Sequence, residues 1–248
     1  PIYKREMALD YQPIFVLASG MLLQERKLGV ITNNLANLDT PSFKRDLLLA
    51  SAWYTDTGEK RPTRNPEDPS NNFVYPVVGS VFTDLSQGPL RRTENTLDLA
   101  IEGRGFFGVR TPEGVRYTRK GTFSLDREGF LVTEEGYRVL DRDGNEIALE
   151  GGRVVVDQEG NIYVDGELVA TIGVWDLEDP QKVGFDLFVG NPAPAENFRV
   201  RQGFIEMSNV NGVLEMVRII ETSRAHEVYS RLIQALDEVQ ERVNSGMR

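Results

Sequence analysis

Apolar residues near the N-terminus fall at Ile14, Leu17, Met21, Leu28, Ile31, Leu35 and Leu38. The steps are of three and four residues in one seven-residue register, broken only by Gln24. Side chains so spaced line one face of an α-helix, and a strict heptad is the spacing of a coiled-coil seam. The pattern predicts a helix from about Ala8 to Leu38, about 45 Å long. The C-terminal end has the same texture. Val210, Val213, Val217 and Ile220 form one stripe. After the polar stretch Glu221–Glu227, Ala225, Tyr229, Leu232, Leu236, Val239 and Val243 form a second stripe in another phase. One helix of about 55–60 Å carries both, with a local change of supercoil at the phase shift.

Between the two helical ends the texture changes. Residues 55–72, TDTGEKRPTRNPEDPSNN, are polar and hold three prolines, the composition of a linker or extended arm. From about Tyr75 to Val200 short apolar–polar alternations are punctuated by turns. Asp126-Arg-Glu-Gly129, Asp141-Arg-Asp-Gly144 and Asp157-Gln-Glu-Gly160 recur at spacings of 15 and 16 residues. Asp and Gly supply turn chemistry, so the pattern predicts a meander of β-hairpins. The fold class expected is α+β: long, coiled-coil-like N- and C-terminal helices bracketing an inserted, mostly antiparallel β-domain. The expected divisions are a helical assembly segment over 1–50, an extended arm over 51–74, a β-rich body over 75–203 and a second helical assembly segment over 204–248. A long heptad face needs cover. Pairing of the terminal helices supplies part of it, and further copies of the chain are expected to supply the rest.

Composition narrows the function classes. The 248 residues carry a net charge of −10. The first 50 residues hold 6 Lys/Arg against 5 Asp/Glu, and residues 204–248 hold 5 against 7, so nearly all the excess acid lies in the middle. An acidic body argues against nucleic acid as a partner, since phosphate neutralisation needs a basic surface. Cysteine is absent, which removes thiol and disulfide chemistry. No apolar run reaches the roughly 18 residues of a membrane span, and the stretch PIYKREMALD has no hydrophobic signal core.

Three motifs invite a chemical reading. Gly103–Gly108, GRGFFG, has the spacing of a dinucleotide loop, but a strand-and-turn pattern follows where a helix should open, which favours a tight β-turn. The Asp-x-x-Gly turns resemble fragments of calcium loops, yet they place Gly at the fourth position rather than the sixth; structural turns and a weak cation site both fit. His226 stands alone as the chain's histidine, within a predicted helix. No nucleophile elbow, phosphate loop or paired metal-binding histidines occur. The expectation is therefore a non-enzyme without catalytic, cofactor or metal residues. A secreted β-domain that binds sugar or protein through its turns, and a hydrolase with an unfamiliar site, stand as the alternatives.

Four stretches together resemble the axial proteins of the bacterial flagellum, the rod and hook subunits: ITNNLANLDTPSFKRD (31–46), NTLDLAIEGRGFFGV (95–109), RYTRKGTFSLDREGFLVTEEGYRVLD (116–141) and SNVNGVLEMVRIIETSRAHE (208–227). Their order and spacing cover both ends and the middle. The chain departs from the family at Ser42, where glycine is frequent, at His226, where an aromatic is usual, and at Thr96, where proline is common. The resemblance implies a structural subunit of the basal-body rod, closer to the proximal type than to the distal type. It implies self-assembly into a periplasm-spanning tube that transmits torque, with neighbouring rod and hook proteins as partners. Export by the flagellar type III apparatus without a cleaved signal peptide follows from it too. No cofactor, nucleic acid or small-molecule substrate is implied. The assembly interface expected is Ile14, Leu17, Met21, Leu28, Ile31, Asn33, Asn34, Leu35, Asn37, Phe43, Asn209, Asn211, Val213, Val217, Ile220, Leu232, Leu236 and Val239. The asparagines cap helix ends, cross to a neighbour or are merely solvated. Thr40-Pro41 stops the first helix. Phe43 is an apolar anchor, and Lys44-Arg45 meet acidic groups of a neighbour.

Overall fold

The computed structural model of the chain describes residues 2–54, 74–184 and 186–246. In chain order the elements are α1 (Ile2–Ala36), β1 (Asp46–Tyr54), β2 (Val74–Thr83), β3 (Leu90–Arg92), β4 (Leu99–Gly103), β5 (Phe106–Thr111), β6 (Gly114–Thr118), β7 (Ser124–Leu125), β8 (Leu131–Val132), β9 (Arg138–Val139), β10 (Val154–Val156), β11 (Asn161–Val164), β12 (Glu167–Thr171), β13 (Val174–Val183), β14 (Leu187–Pro194), β15 (Phe198–Gln202), β16 (Phe204–Glu206) and α2 (Gly212–Gly246). Two helices therefore bracket a β-rich middle, and every strand pairing among the described residues is antiparallel. The chain forms two compact units. A helical unit takes residues 1–36, 46–84 and 211–248, and a β-body takes residues 37–45 and 85–210.

In the helical unit, α1 ends at Ala36, two residues short of the expected Leu38. The predicted α1 stripe is its covered side: Ile14, Leu17, Met21, Leu28 and Leu35 are partly buried and Ile31 is buried. The helices touch where Gly20 faces Tyr229, a contact in which any Cβ on residue 20 would sit 2.5 Å from the ring. Ser230 Oγ lies 3.9 Å from Met21 Sδ one residue further along each helix. Residues 204–206 are strand rather than helix, and α2 opens only at Gly212, capped by Asn211, whose Oδ1 accepts from Leu214 N–H at 3.1 Å. Val210 is accordingly not part of the helical stripe; it is buried ahead of α2, within the body.

The covered row of α2 differs from the two stripes expected. It runs Glu215, Ile219, Thr222, His226, Tyr229, Ile233, Leu236 and Gln240, in unbroken alternating steps of four and three, each buried or partly buried. There is one phase and no shift at Glu221–Glu227. Half of the row is polar, so a search for apolar spacing selects the wrong face. Val213, Val217, Ile220, Leu232 and Val239 lie 46–72 % exposed instead. Residues 51–54, placed in the arm by composition, are the end of β1, which pairs with β2 from Asp46↔Thr83 to Tyr54↔Val74. Of the rest of the predicted arm, 55–73 lies outside the described residues and Val74 begins β2.

In the body, a seven-stranded sheet runs β13-β14-β6-β5-β9-β8-β7, beside a three-stranded sheet β10-β11-β12 and the pairs β15-β4 and β16-β3. Successive side chains of a strand face opposite sides. In β5 both sides are covered: Phe107 meets Phe123 edge-on at 5.2 Å in the main core, while Phe106 meets Phe188 at 5.1 Å in a smaller cluster. The Asp-x-x-Gly motifs are turns, as expected. Asp126 Oδ1 accepts from the N–H of residues 128 and 130, Asp141 Oδ1 from 143 and 145, and Asp157 Oδ1 from 159 and 161, at 2.8–3.1 Å. The fourth residue of each sits near φ +86°, where only glycine is unstrained. GRGFFG is strand end, turn and the start of β5.

Candidate functional site

The residues singled out between Asn33 and Asp46 and around Asn209 do not lie on one surface. Asn34, in the last turn of α1, is buried and pairs with backbone rather than with solvent. Its Nδ2 donates to Asp46 O at 2.8 Å and its Oδ1 accepts from Asp46 N–H at 2.9 Å, so one amide side chain serves the residue that starts β1 as a strand partner would. Asp46 Oδ1 in turn accepts from Thr83 Oγ1 at 2.7 Å. Asn33 is exposed. Asn37 acts in the turn beyond the helix: its carbonyl accepts from Thr40 N–H at 3.2 Å and its Oδ1 from Thr40 Oγ1 at 3.1 Å.

The following residues enter the β-body and meet a buried charge cluster. Glu206 is fully buried, and its carboxylate receives Lys44 Nζ at 2.6 Å and Gly88 N–H at 2.9 Å on Oε1, and Arg119 Nε at 2.7 Å on Oε2. The two cations bury their remaining donors on carbonyls. Lys44 Nζ donates to Ser86 O at 2.7 Å, and the Arg119 guanidinium donates to the carbonyls of Ile101, Gly103 and Gly105 at 2.7–2.9 Å. A buried charge persists when it is paired and hydrogen-bonded throughout, and arginine's fixed fork suits such a site. Lys44, 1 % exposed, is thus an internal partner of Glu206 rather than a contact for a neighbour. Phe43, expected at the assembly interface, is 1 % exposed within the body, with Lys182 Nζ over its ring at 4.2 Å, so it anchors its own segment.

Asn209 laces the same three segments together. Its Oδ1 accepts from Arg45 N–H at 2.8 Å, its Nδ2 donates to Ser86 O at 3.0 Å, and its own N–H donates to Phe43 O at 3.3 Å. Met207 N–H donates to Pro89 O at 2.8 Å. Ser42 answers the question raised by a serine in place of the family's glycine. It does adopt the left-handed backbone, at φ 60°, and it is buried. Its N–H donates to Glu206 O at 2.8 Å, and its hydroxyl lies 3.0 Å from Arg119 O and 3.3 Å from Glu206 O, donating to one at a time.

Sequence reasoning missed Glu206, Arg119 and Ser86. One signal was present: Glu206 stands between Ile205 and Met207 at the end of a strand pattern, where an acid facing inward demands a cation. The partners are 162 and 87 residues away and carry no local signal. Elsewhere in the body Lys120 Nζ gathers Glu134 at 2.7 Å, Glu135 at 3.1 Å and Asp186 at 3.9 Å. Burial, and then the charge of Glu135, push the Asp186 carboxyl above its ordinary range. Among the described residues no group of three or more His, Asp or Glu is placed to hold a metal ion, and no helix is long and apolar enough to cross a membrane.

The second candidate surface is the outer side of the helical unit. Val213 is 72 % exposed, Phe15 63 % and Phe82 57 %, and Leu22, Leu49, Val81, Met216, Val228 and Val243 are each at least half exposed.

Three family descriptions match the chain: Flagella basal body rod protein over residues 14–44, Flagellar hook protein FlgE/F/G D1 domain over 100–164, and Flagellar basal body rod FlgEFG protein C-terminal over 201–246. Among curated proteins, a flagellar basal-body rod protein FlgF of Caulobacter vibrioides is 32 % identical over 229 residues, covering 89 % of this chain and 91 % of the relative. A flagellar basal-body rod protein FlgG of Buchnera aphidicola subsp. Schizaphis graminum is 32 % identical over 254 residues, covering 93 % and 98 %. A FlgG of Borreliella burgdorferi is 29 % identical over 253 residues, covering 90 % and 94 %.

Proposed function

Since the chain belongs to the flagellar basal-body rod protein family, we propose that it is a structural subunit of the rod that polymerises through α1, α2 and the β1–β2 strand pair, with other rod and hook proteins as neighbours. The observation that carries the assembly mode is an inversion on α2. Its covered row holds Glu215, Thr222, His226 and Gln240, whereas Val213, Val217, Ile220, Leu232 and Val239 face outward. A helix with these apolar residues pointing to solvent gains by burying them, at about 25 cal/mol per Å². Neighbouring copies are the occupants, and coiled-coil-like packing of these residues arises only on assembly. Ile14, Leu17, Met21, Leu28, Ile31 and Leu35 then act as the layer beneath the interface. The β-body places its charged turns outside and contributes bulk and contacts. Export by the flagellar type III apparatus without signal cleavage, residence in the periplasm-spanning basal body and a place in the proximal rather than the distal rod complete the reading. The proximal place is supported by Lys44-Arg45-Asp46 and the compact 165–184 region.

Sedimentation and electron microscopy of the full chain against concentration test assembly, with tubular or filamentous polymers expected. A chain that stays monomeric at high concentration, and whose cellular role survives loss of both helices, removes the reading. The basal-body segment that disappears on deleting the gene decides between proximal and distal.

A further inference from the structure

The chain crosses between its two compact units at four places, after residues 36, 45, 84 and 210. On the body side, three of the crossings are flanked by segments bound to one another: 42–45, 86–89 and 206–209. Lys44 and Asn209 each reach two other parts of this set, Lys44 through Glu206 and Ser86 O, Asn209 through Arg45 N–H and Ser86 O. Glu206 then ties the set to the sheet through Arg119, whose guanidinium spans the carbonyls of Ile101, Gly103 and Gly105. Backbone bonds join the set too: Ser42 N–H donates to Glu206 O, Asn209 N–H to Phe43 O and Met207 N–H to Pro89 O. Residues 42–45 nevertheless belong to no strand of the body, so side chains add the ties that a strand ladder would otherwise supply.

We infer that Lys44 and Asn209, acting through Glu206 and Ser86, are positioning residues: they fix where the chain enters and leaves the β-body, and so set the conformation of the Asn37–Arg45 segment, without themselves being needed for the fold of the remaining body, in which Glu206 stays paired with Arg119. The assembly arm of this inference rests on the rod reading; the conformational arm does not. Two features favour a separable tie over a piece of core. Lys44 Nζ and Glu206 Oε1 join residues 162 apart through one contact between polar atoms. Removing Lys44 leaves Glu206 paired with Arg119 and with Gly88 N–H, so the body keeps a compensated carboxylate.

Hydrogen exchange on the purified full chain tests this with Lys44→Met. The amides of Ser42, Arg45, Met207 and Asn209 are expected to exchange about tenfold or more faster, the scale of losing hydrogen bonds to a charged group, while those of β5 and β13 keep their rates. The polymerisation threshold by sedimentation is expected to rise in parallel, because subunits with a loose segment must order it on joining. Should Lys44→Met not fold, Asn209→Ala removes the Arg45 and Ser86 ties without touching a buried charge and is expected to give the same split. Equal acceleration in β5 and β13 overturns the inference, since the cluster would then be ordinary core. Unchanged exchange at 42–45 overturns it as well. A parent chain that never polymerises defeats the rod reading instead and leaves the exchange result to judge the tie. An unchanged threshold in a polymerising, locally loosened variant rejects the role in assembly.

Discussion

The two units of this chain use apolar residues in opposite ways. In the β-body the large side chains are inside: Ile101, Phe107, Val109 and Val139 have no exposure at all. In the helical unit only Leu23 and Ile31 count as buried hydrophobics among the described residues, while Val213, Phe15 and Phe82 stand more than half in solvent. Among the described residues, one unit buries its large apolar side chains and the other leaves many of them exposed. The lesson concerns heptads. Regular apolar spacing states that a face must be covered, but it does not state by what. On α1 the spaced residues are covered within the chain; on α2 Tyr229 and Leu236 are covered, while Val213, Val217, Ile220, Leu232 and Val239 are left outside.

Core truncation should show the contrast at its largest. Phe107→Ala removes a ring from the main core beside Phe123 and should cost about 3–5 kcal/mol of body stability by chemical denaturation. Glu206→Ala belongs on the same scale, about 3–5 kcal/mol, because it strands two buried cations. If either variant unfolds near the parent's midpoint, the body is not the self-sufficient unit described here.

Val213→Ser should behave the other way. In the free chain the exposed side chain supports little, so stability should stay within about 0.5 kcal/mol of the parent. In the polymer each copy would lose about 1.5 kcal/mol of burial, enough for about a tenfold higher assembly threshold. Sedimentation velocity across a concentration series measures it. A threshold that does not move would place the interface elsewhere.

Ser42 probes the body at finer scale. Ser42→Ala keeps the left-handed strain at φ 60° and loses the hydroxyl's hydrogen bond, for a cost of about 1 kcal/mol. Ser42→Gly relieves about 1 kcal/mol of backbone strain while losing the same bond, so it should come out near neutral. Thermal denaturation of the pair decides: alanine and glycine of equal stability would mean that the strain has been absorbed by the surrounding backbone.

What the sequence disclosed follows from the range of each interaction. The Asp126, Asp141 and Asp157 turns were legible because each aspartate bonds its own neighbours within four residues. The α1 stripe was legible because its covered face is apolar except at Gln24. The covered row of α2 was not, since Glu215, Thr222, His226 and Gln240 break the contrast on which periodicity depends. Asn34 looked like a cap or a subunit contact, yet it serves the backbone of Asp46, and a side chain standing in for a strand partner has no sequence pattern. The Lys44–Glu206–Arg119 cluster was least visible, because it is assembled from distant segments and only the misplaced polarity of Glu206 announced it.

The smallest effect expected is electrostatic, and it tests whether the body's acidity is evenly tolerated. Asp186 is pushed above its ordinary carboxylate range by burial and then by the charge of Glu135, against the opposing pull of Lys120. With a folded pKa above the unfolded one, the native body binds the extra proton over that window. Its stability therefore falls as pH rises through the window, and the cost stays in place at neutral pH. Asp186→Asn removes it, and Lys120 keeps Glu134 at 2.7 Å and Glu135 at 3.1 Å. The variant should be more stable than the parent at pH 7, and the gap should close as pH drops below the ordinary aspartate range. Denaturation curves for both chains across that interval give the answer. A gain that persists unchanged at low pH would be steric rather than electrostatic, and a loss at pH 7 would mean that the Lys120 contact at 3.9 Å outweighs the burial of the carboxylate.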